Sequence, residues 1–447
     1  MRTFVALLLA GSLAACGGSA QPERKGPNVV LVVIDTLRPD HLGFGGYSRE
    51  TAPFLASLAA EGTVFERAYS TSSWTAPATA SIFSGLWPPR HGVLQGFFAH
   101  FKDATDGGDG APRTLSVGAL ATGSATLPEV FKAQGYRTFA LTTNINIGPE
   151  IGFDRGFERF ERLDNLAGRK VLAHLEAWRP ELMAENERPY LLYLHLNDVH
   201  SPYHPRKRWY SSEGDERARR MSAYDSEISY LDGVLESLFE RLEIGPGTLV
   251  AIVSDHGEEF LEHGRWYHGF SLHRELNQVL FLLRAPGLGV PARRVPVNVS
   301  LVDLLPTLAE LAGLDLDRDQ LEARSGRSLA PLLLGAEAGE SALAQFALRP
   351  IYAHRELLSA TGSQETWAVM RGGWKLLLAE GQRKLYDLWR DPAEVQDLSA
   401  QEPALARELW RLLEAEMDRG NERAGGTNEV ILDRDLLERL SSLGYTD

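Results

Sequence analysis

Cysteine is almost missing from the 447-residue chain, where Cys16 is the only one. That excludes a disulfide framework, a zinc–thiolate site and a cysteine nucleophile from the folded part. Positive charge is short as well, with 46 Lys and Arg against 60 Asp and Glu and a formal net charge of −14. A nucleic-acid binder needs a basic face, so no nucleic-acid partner is expected. An anionic substrate has to be met by a local positive site, such as a metal, and not by a global field. The apolar run from Phe4 to Ala10 is too short to span a bilayer.

What that run offers instead is the layout of a secretory signal in "MRTFVALLLAGSLAACGG". "LAAC", from Leu13 to Cys16, resembles the lipobox of bacterial lipoproteins. The resemblance implies a signal peptide over 1–16, lipidation at Cys16 and a membrane partner reached through an N-terminal lipid anchor. The polar, Gly/Pro-rich residues 17–27 read as a flexible tether. The expected location is the bacterial cell envelope, and Gly17 in place of Asp favours the outer membrane or periplasmic side.

Beyond residue 27 the composition is that of a globular protein, 44% hydrophobic and 24% charged. "NVVLVVID" (28–35), "YRTFALTT" (136–143), "PYLLYLHL" (189–196), "GTLVAIVSD" (247–255) and "VLFLLRAPG" (279–287) are β-branched or apolar runs of strand length. Helical stretches alternate with them. One begins at "TAPFLASLAAEG" (51–62), with Thr51 as its expected N-cap. The alternation predicts an α/β fold around a large, mostly parallel sheet. Ligands of such sheets bind beyond the carboxyl ends of the strands, where Asp35 and Asp255 both stand. Residues 101–125, rich in small residues and without a period, read as a surface insertion. The pattern changes near 345, which suggests a catalytic domain over 28–344 and a small α+β subdomain with an antiparallel sheet over 345–447.

Six of the twelve histidines fall between His195 and His268. Asp255–His256 directly after a buried strand suits a metal pair. With Asp35 and Thr75 it makes a hard-to-borderline donor set, favouring Zn²⁺ or Mn²⁺ and allowing Ca²⁺ or Mg²⁺. A divalent metal would lower the pKa of the Thr75 hydroxyl and make it a usable nucleophile. Thr75 also sits just before the small-residue helix "ATASIFSG", whose N-terminal N–H groups favour an anion. The local alternative for Thr75 is a plain helix cap.

In order and spacing, "NVVLVVIDTLRPDHLG", "TAPATASIFSGLWPPRHG", "YLLYLHLNDVHSPYHP" and "DHGEEFLEHGRWYHG" resemble the sulfatase-like branch of the alkaline phosphatase superfamily. "GYRTFALTTNINIGPEIGFDRGF" and the C-terminal "WAVMRGGWKLLL" segment are similar too, and the likeness covers residues 27–447. It implies a sandwich of helices on a central sheet, a metal, and an anionic phosphate or sulfate ester as substrate. The departures bear on mechanism. Where sulfatases carry a Cys or Ser in C/S-x-P-x-R, this chain has Thr75-Ala76-Pro77-Ala78-Thr79, and threonine cannot become formylglycine. The paired Asp-Asp is Asp35-Thr36, and the Lys-x-x-His segment that grips sulfate is absent, with Thr143 and Asn144 near its place.

Members of the superfamily that use threonine as nucleophile are similar here, and they imply phosphoryl chemistry. By position, His200 and His268 become substrate ligands or the general acid. Asn144, Asp198 and His263 are further substrate-binding candidates, whereas His195 reads as packing at its strand end. His91, His204 and His354 read as structural or surface residues. The expected function is a metal-dependent hydrolase cleaving phosphate mono- or diesters through Thr75. The alternatives are an envelope phosphoryl-group transferase, a sulfuric ester hydrolase, or an inactive lipoprotein binding an anion or glycan.

Overall fold

The five apolar runs form β1 (Val29–Ile34), β4 (Arg137–Thr142), β6 (Tyr190–Leu196), β7 (Leu249–Ser254) and β10 (Phe281–Arg284), and further strands arise outside them: β2 (Thr63–Tyr69), β3 (Arg113–Gly118), β5 (Arg159–Arg162), β8 (Glu259–Phe260), β9 (Trp266–Tyr267) and β11 (Arg293–Ser300). The structure, a computed structural model, describes residues 26–96, 113–184, 188–316, 321–334, 336–359, 362–422 and 427–432. The expected signal peptide, Cys16 and most of the tether lie outside the described residues.

Eight strands make the central sheet in the order β11-β2-β10-β7-β1-β6-β4-β5. Within it β10 runs antiparallel to β2 and β7, and the other neighbours pair in parallel. β1 lies between β6 and β7 and is buried along its whole length. Its side chains alternate between faces, so Val29, Leu31 and Val33 enter one core while Val30, Val32 and Ile34 enter the other. Each buried aliphatic side chain of this kind contributes about 1.5–3 kcal/mol.

Helices Thr75–Ser84, Leu127–Ala133 and Leu304–Leu311 cover the first face, through residues such as Ile82, Val130 and Leu308. Helices Pro53–Glu61, Gly168–Leu182 and Glu216–Arg241 cover the second, through Leu55, Leu175 and Leu235. Thr51 is not the cap expected of it: its hydroxyl donates to His41 O. The free N–H groups of Phe54 and Leu55 donate instead to the Asp232 carboxylate from the long helix, at 2.9 and 2.8 Å.

C-terminal to this, β12 (Ile351–Ser359), β13 (Gly362–Arg371), β14 (Trp374–Ala379) and β15 (Gln382–Asp387) form an antiparallel meander. Helix Pro403–Glu422 packs Leu409 and Leu413 into its core. His354 N donates to Thr71 O (2.8 Å), which ties this small sheet to the segment before Thr75. β3 pairs antiparallel with β16 (Thr427–Leu432). The irregular insertion expected over 101–125 therefore contains a strand whose partner lies at the far end of the chain.

Candidate active site

Parallel pairing sets Ile34 beside Leu196 and Ser254, so the chain leaves β1, β6 and β7 at one edge. There Asp35, Asp255 and His256 converge, all fully buried. His256 Nε2 lies 3.7 Å from Asp35 Oδ1 and 3.6 Å from Asp255 Oδ2. The Thr75 hydroxyl, at the first residue of helix Thr75–Ser84, donates to the same nitrogen at 3.2 Å. His256 Nδ1–H donates to Gly257 O (2.9 Å), which leaves Nε2 as the lone-pair nitrogen. Burial lowers the pKa of His256.

The site fits a divalent cation. Asp35 Oδ1 and Asp255 Oδ2 are buried oxygens without a hydrogen-bond partner, and both face His256 Nε2. One ligand atom from each of the three residues lies within 4.8 Å of the others. Two buried carboxylates so close cannot both stay charged without a counter-charge. Burial and the Asp35 charge accordingly push Asp255 up. Burial works the same way on Asp35, but the His195 hydrogen bond and the imidazoles of His200 and His256 hold it below its ordinary value. Two carboxylate oxygens and one imidazole nitrogen suit a hard-to-borderline metal.

The remaining carboxylate oxygens are tied down. Asp255 Oδ1 accepts from His256 N (2.8 Å) and Thr36 N (3.2 Å). Thr36 takes φ of 58°, a strained conformation for a β-branched residue, and Tyr224 OH secures its carbonyl at 2.7 Å. Asp35 Oδ2 accepts from Asn144 Nδ2 (2.6 Å) and His195 Nε2 (3.4 Å), and Tyr193 OH donates to His195 Nδ1 (2.9 Å). Asn144 Nδ2 also reaches Asn197 Oδ1 at 3.0 Å, while its Oδ1 accepts from Asn146 N. Its amide is thus fully engaged in orienting Asp35. His195 is more than the packing residue expected: it points at both carboxylates, 3.9 Å from Asp255 Oδ2.

His268 and His200 line the opposite side. The His268 ring sits 4.6 Å from that of His256 and 4.9 Å from that of His200. His268 Nδ1 donates to Glu258 Oε1 (3.0 Å), and Tyr203 OH donates to Glu258 Oε2 (2.7 Å). Burial opposes the charge of Glu258, yet His268, His200 and the Tyr203 hydroxyl hold its pKa below the ordinary value. His200 Nδ1 donates to Ser201 O. His268 therefore keeps Nε2 for other partners. The indole of Trp74 stands edge-on to His268 at 5.8 Å.

Two expected site residues face elsewhere. Asp198 Oδ1 accepts from Gly168 N (2.8 Å) and so caps helix Gly168–Leu182, although its residue borders a 250 Å³ cleft shared with His200. His263 stacks on His273 (3.6 Å, 7°) and bonds Glu275 at 2.7 Å, in a cluster with no member in common with the metal set. His91 is buried under the Thr75 helix, where its Nε2 meets Ser81 Oγ and its Nδ1 accepts from Val93 N. His354 is buried against Trp367, and His204 is exposed. Glu258 and Asn197 carry no signal in the sequence that singles them out. Neither belongs to a pattern there, since each gains its meaning from a partner on another strand or loop.

Comparison with known proteins agrees with this geometry. The family model described as Sulfatase matches residues 27–314. Arylsulfatase K of Xenopus laevis is 23% identical, with 90% of this chain and 84% of that protein aligned. Choline-sulfatase of Rhizobium meliloti (strain 1021) is 25% identical over 83% of this chain and 82% of that protein. The crystal structure of the phosphonate monoester hydrolase of Agrobacterium radiobacter superposes with a TM-score of 0.68 and 17% identity, covering 88% of this chain and 96% of that one. A family match across most of the sheet and every strand end that feeds the site leaves one conclusion: the chain belongs to the sulfatase family, ester hydrolases of the alkaline phosphatase superfamily.

Proposed function

We propose that this hydrolase cleaves phosphate mono- or diesters with Thr75 as nucleophile and a divalent metal, Zn²⁺ or Mn²⁺ by preference, held by Asp35, Asp255 and His256. The observation that carries the reading is the Thr75 hydroxyl itself, buried, 3.2 Å from His256 Nε2 and seated on a helix N-terminus. Threonine has one hydrogen too few on Cβ to yield formylglycine, so a covalent sulfate on it would lack the hydrate collapse by which sulfatases expel sulfate. A phosphothreonine is opened by in-line attack of water at phosphorus. The shared fold of the phosphonate monoester hydrolase supports a scaffold compatible with phosphorus esters.

When bound, the metal supplies a Lewis acid that lowers the pKa of the Thr75 hydroxyl and offsets charge on the ester. The chain's own groups then act in sequence. Thr75 Oγ1 gives its proton to solvent and attacks phosphorus while the bond to the leaving alcohol breaks. His268, held by Glu258, protonates the departing oxygen through Nε2. His200, whose Nδ1 is fixed on Ser201 O, positions a phosphoryl oxygen. Water next attacks phosphorus, gives its proton to His268, and Thr75 Oγ1 leaves and is reprotonated.

The test is the metal-stripped protein reloaded with Zn²⁺, Mn²⁺ or Ca²⁺ and assayed on aryl phosphate, phosphodiester, phosphonate and sulfate esters. Phosphoester cleavage lost in Thr75→Ala is expected; sulfate-ester cleavage that survives Thr75→Ala overturns the reading. The lipid anchor at Cys16 belongs to the same proposal, and a Cys16→Ser protein that still partitions with membranes would refute it.

A further inference from the structure

Arg355, on β12, is a buried cation. Its residue is 3% exposed, and among the described residues no carboxylate pairs with it. Its Nε–H donates to Gly269 O, and Nη2 is buried with no hydrogen-bond partner. The charged group that acts on it is a second cation: burial and the nearby Arg265 push its pKa down to about 10. An uncompensated buried guanidinium is costly, and a like charge beside it adds to the cost. An oxyanion between the two would satisfy both through charge-assisted hydrogen bonds.

The position of the pair says which oxyanion. Gly269 follows His268 and takes φ of +82°, and a Cβ there would lie 2.6 Å from the Trp74 ring. Trp74 precedes Thr75 and stands against His268. Arg265 is exposed and lies over the exposed ring of Phe270 at 5.2 Å. Arg355 thus holds the residue that follows the proposed general acid, and Arg265 lies over the next one. We infer that Arg355 and Arg265 bind a second oxyanion group, phosphate, sulfate or carboxylate, on the leaving portion of the substrate, with Trp74 and Phe270 against its body. The inference rests on the Thr75–His268 reading of where the ester is cleaved.

The experiment is calorimetric titration of the metal-loaded protein with phenylphosphonate and with meta-phenylenebisphosphonate, which carry one and two oxyanions. Neither contains the ester bond, so binding is measured whether or not Thr75 is the nucleophile. The bisphosphonate should bind about tenfold more tightly to the wild type, and the preference should collapse in Arg265→Gln and in Arg355→Met. Arg265 is at the surface, so its variant reports even where Arg355→Met does not fold. No preference in the wild type, or a preference that survives Arg265→Gln, overturns the subsite. A failure of the Thr75 reading shows separately, as turnover that persists in Thr75→Ala while the preference stands.

Discussion

Replacing Glu258 by glutamine removes a charge from the site and little else. Glu258 is fully buried and accepts from His268 Nδ1 at 3.0 Å and from Tyr203 OH at 2.7 Å. The amide oxygen of the substituted side chain can still accept from His268, and its NH₂ meets a tyrosine oxygen that is able to accept. What is lost is the charge on the acceptor of the His268 Nδ1–H hydrogen bond. A hydrogen bond to a charged group is worth about 1.5–3 kcal/mol and one to a neutral group about 1 kcal/mol, so about 0.5–2 kcal/mol is lost. At about 1.36 kcal/mol per decade, that predicts roughly a 2- to 30-fold fall in rate for steps needing the proton. The assay is kcat/KM across phosphate esters of rising leaving-group pKa, with metal content checked in both proteins. A nitrophenyl ester, whose phenolate leaves unaided, should lose little, whereas an alkyl ester should bear the whole loss. An equal loss across the series, at unchanged metal content, would refute His268 as the general acid.

Two further outcomes follow from the buried groups. His91 is fully buried in its neutral form, because Nδ1 accepts from Val93 N while Nε2–H serves Ser81, and burial lowers its pKa from 6.5 to about 3. The folded pKa is the depressed one, so its contribution is intact above about pH 6.5 and is lost as pH falls toward 3. At pH 5 the loss is about 2 kcal/mol, and urea melts at pH 7 and pH 5 should show a slope that His91→Gln flattens. Asp255→Asn keeps the oxygen that accepts from His256 N and Thr36 N but turns a donor group toward the metal. Metal affinity should fall by about 100-fold or more, while the metal-free fold gains about 1–3 kcal/mol from losing a repelled buried carboxylate. Titration calorimetry and melts in chelator read the two effects apart.

The sheet was legible because burial on both faces demands unbroken apolar runs, and β1, β6 and β7 are such runs. The same rule placed Asp35, Asp255 and His256 at the ligand edge. Applied once more it would have found His195, a polar residue beside the end of a buried strand, in register with Val33. Reading it as packing treated a fully buried imidazole as inert. Glu258 was harder, since an acid in "DHGEEF" has no period to mark it and its role depends on His268, ten residues on, and on Tyr203. Thr51 looked like a cap because it has the right side chain; the helix took Asp232, 178 residues from Phe54. The β3–β16 pair joins two short segments with nothing in either to name its partner.

The order of the central sheet also sets a clock. β1 is made well before both its neighbours, β6 and β7, and 219 residues separate Thr36 from the carboxylate that binds its N–H. At roughly 5–20 residues per second, a growing chain waits about 10–45 s between the first carboxylate of the proposed metal site and the second. Asp35, Asp255 and His256 come together only once β7 and the two residues after it have been made. Without a counter-charge, burial and the Asp35 charge push Asp255 toward its protonated form.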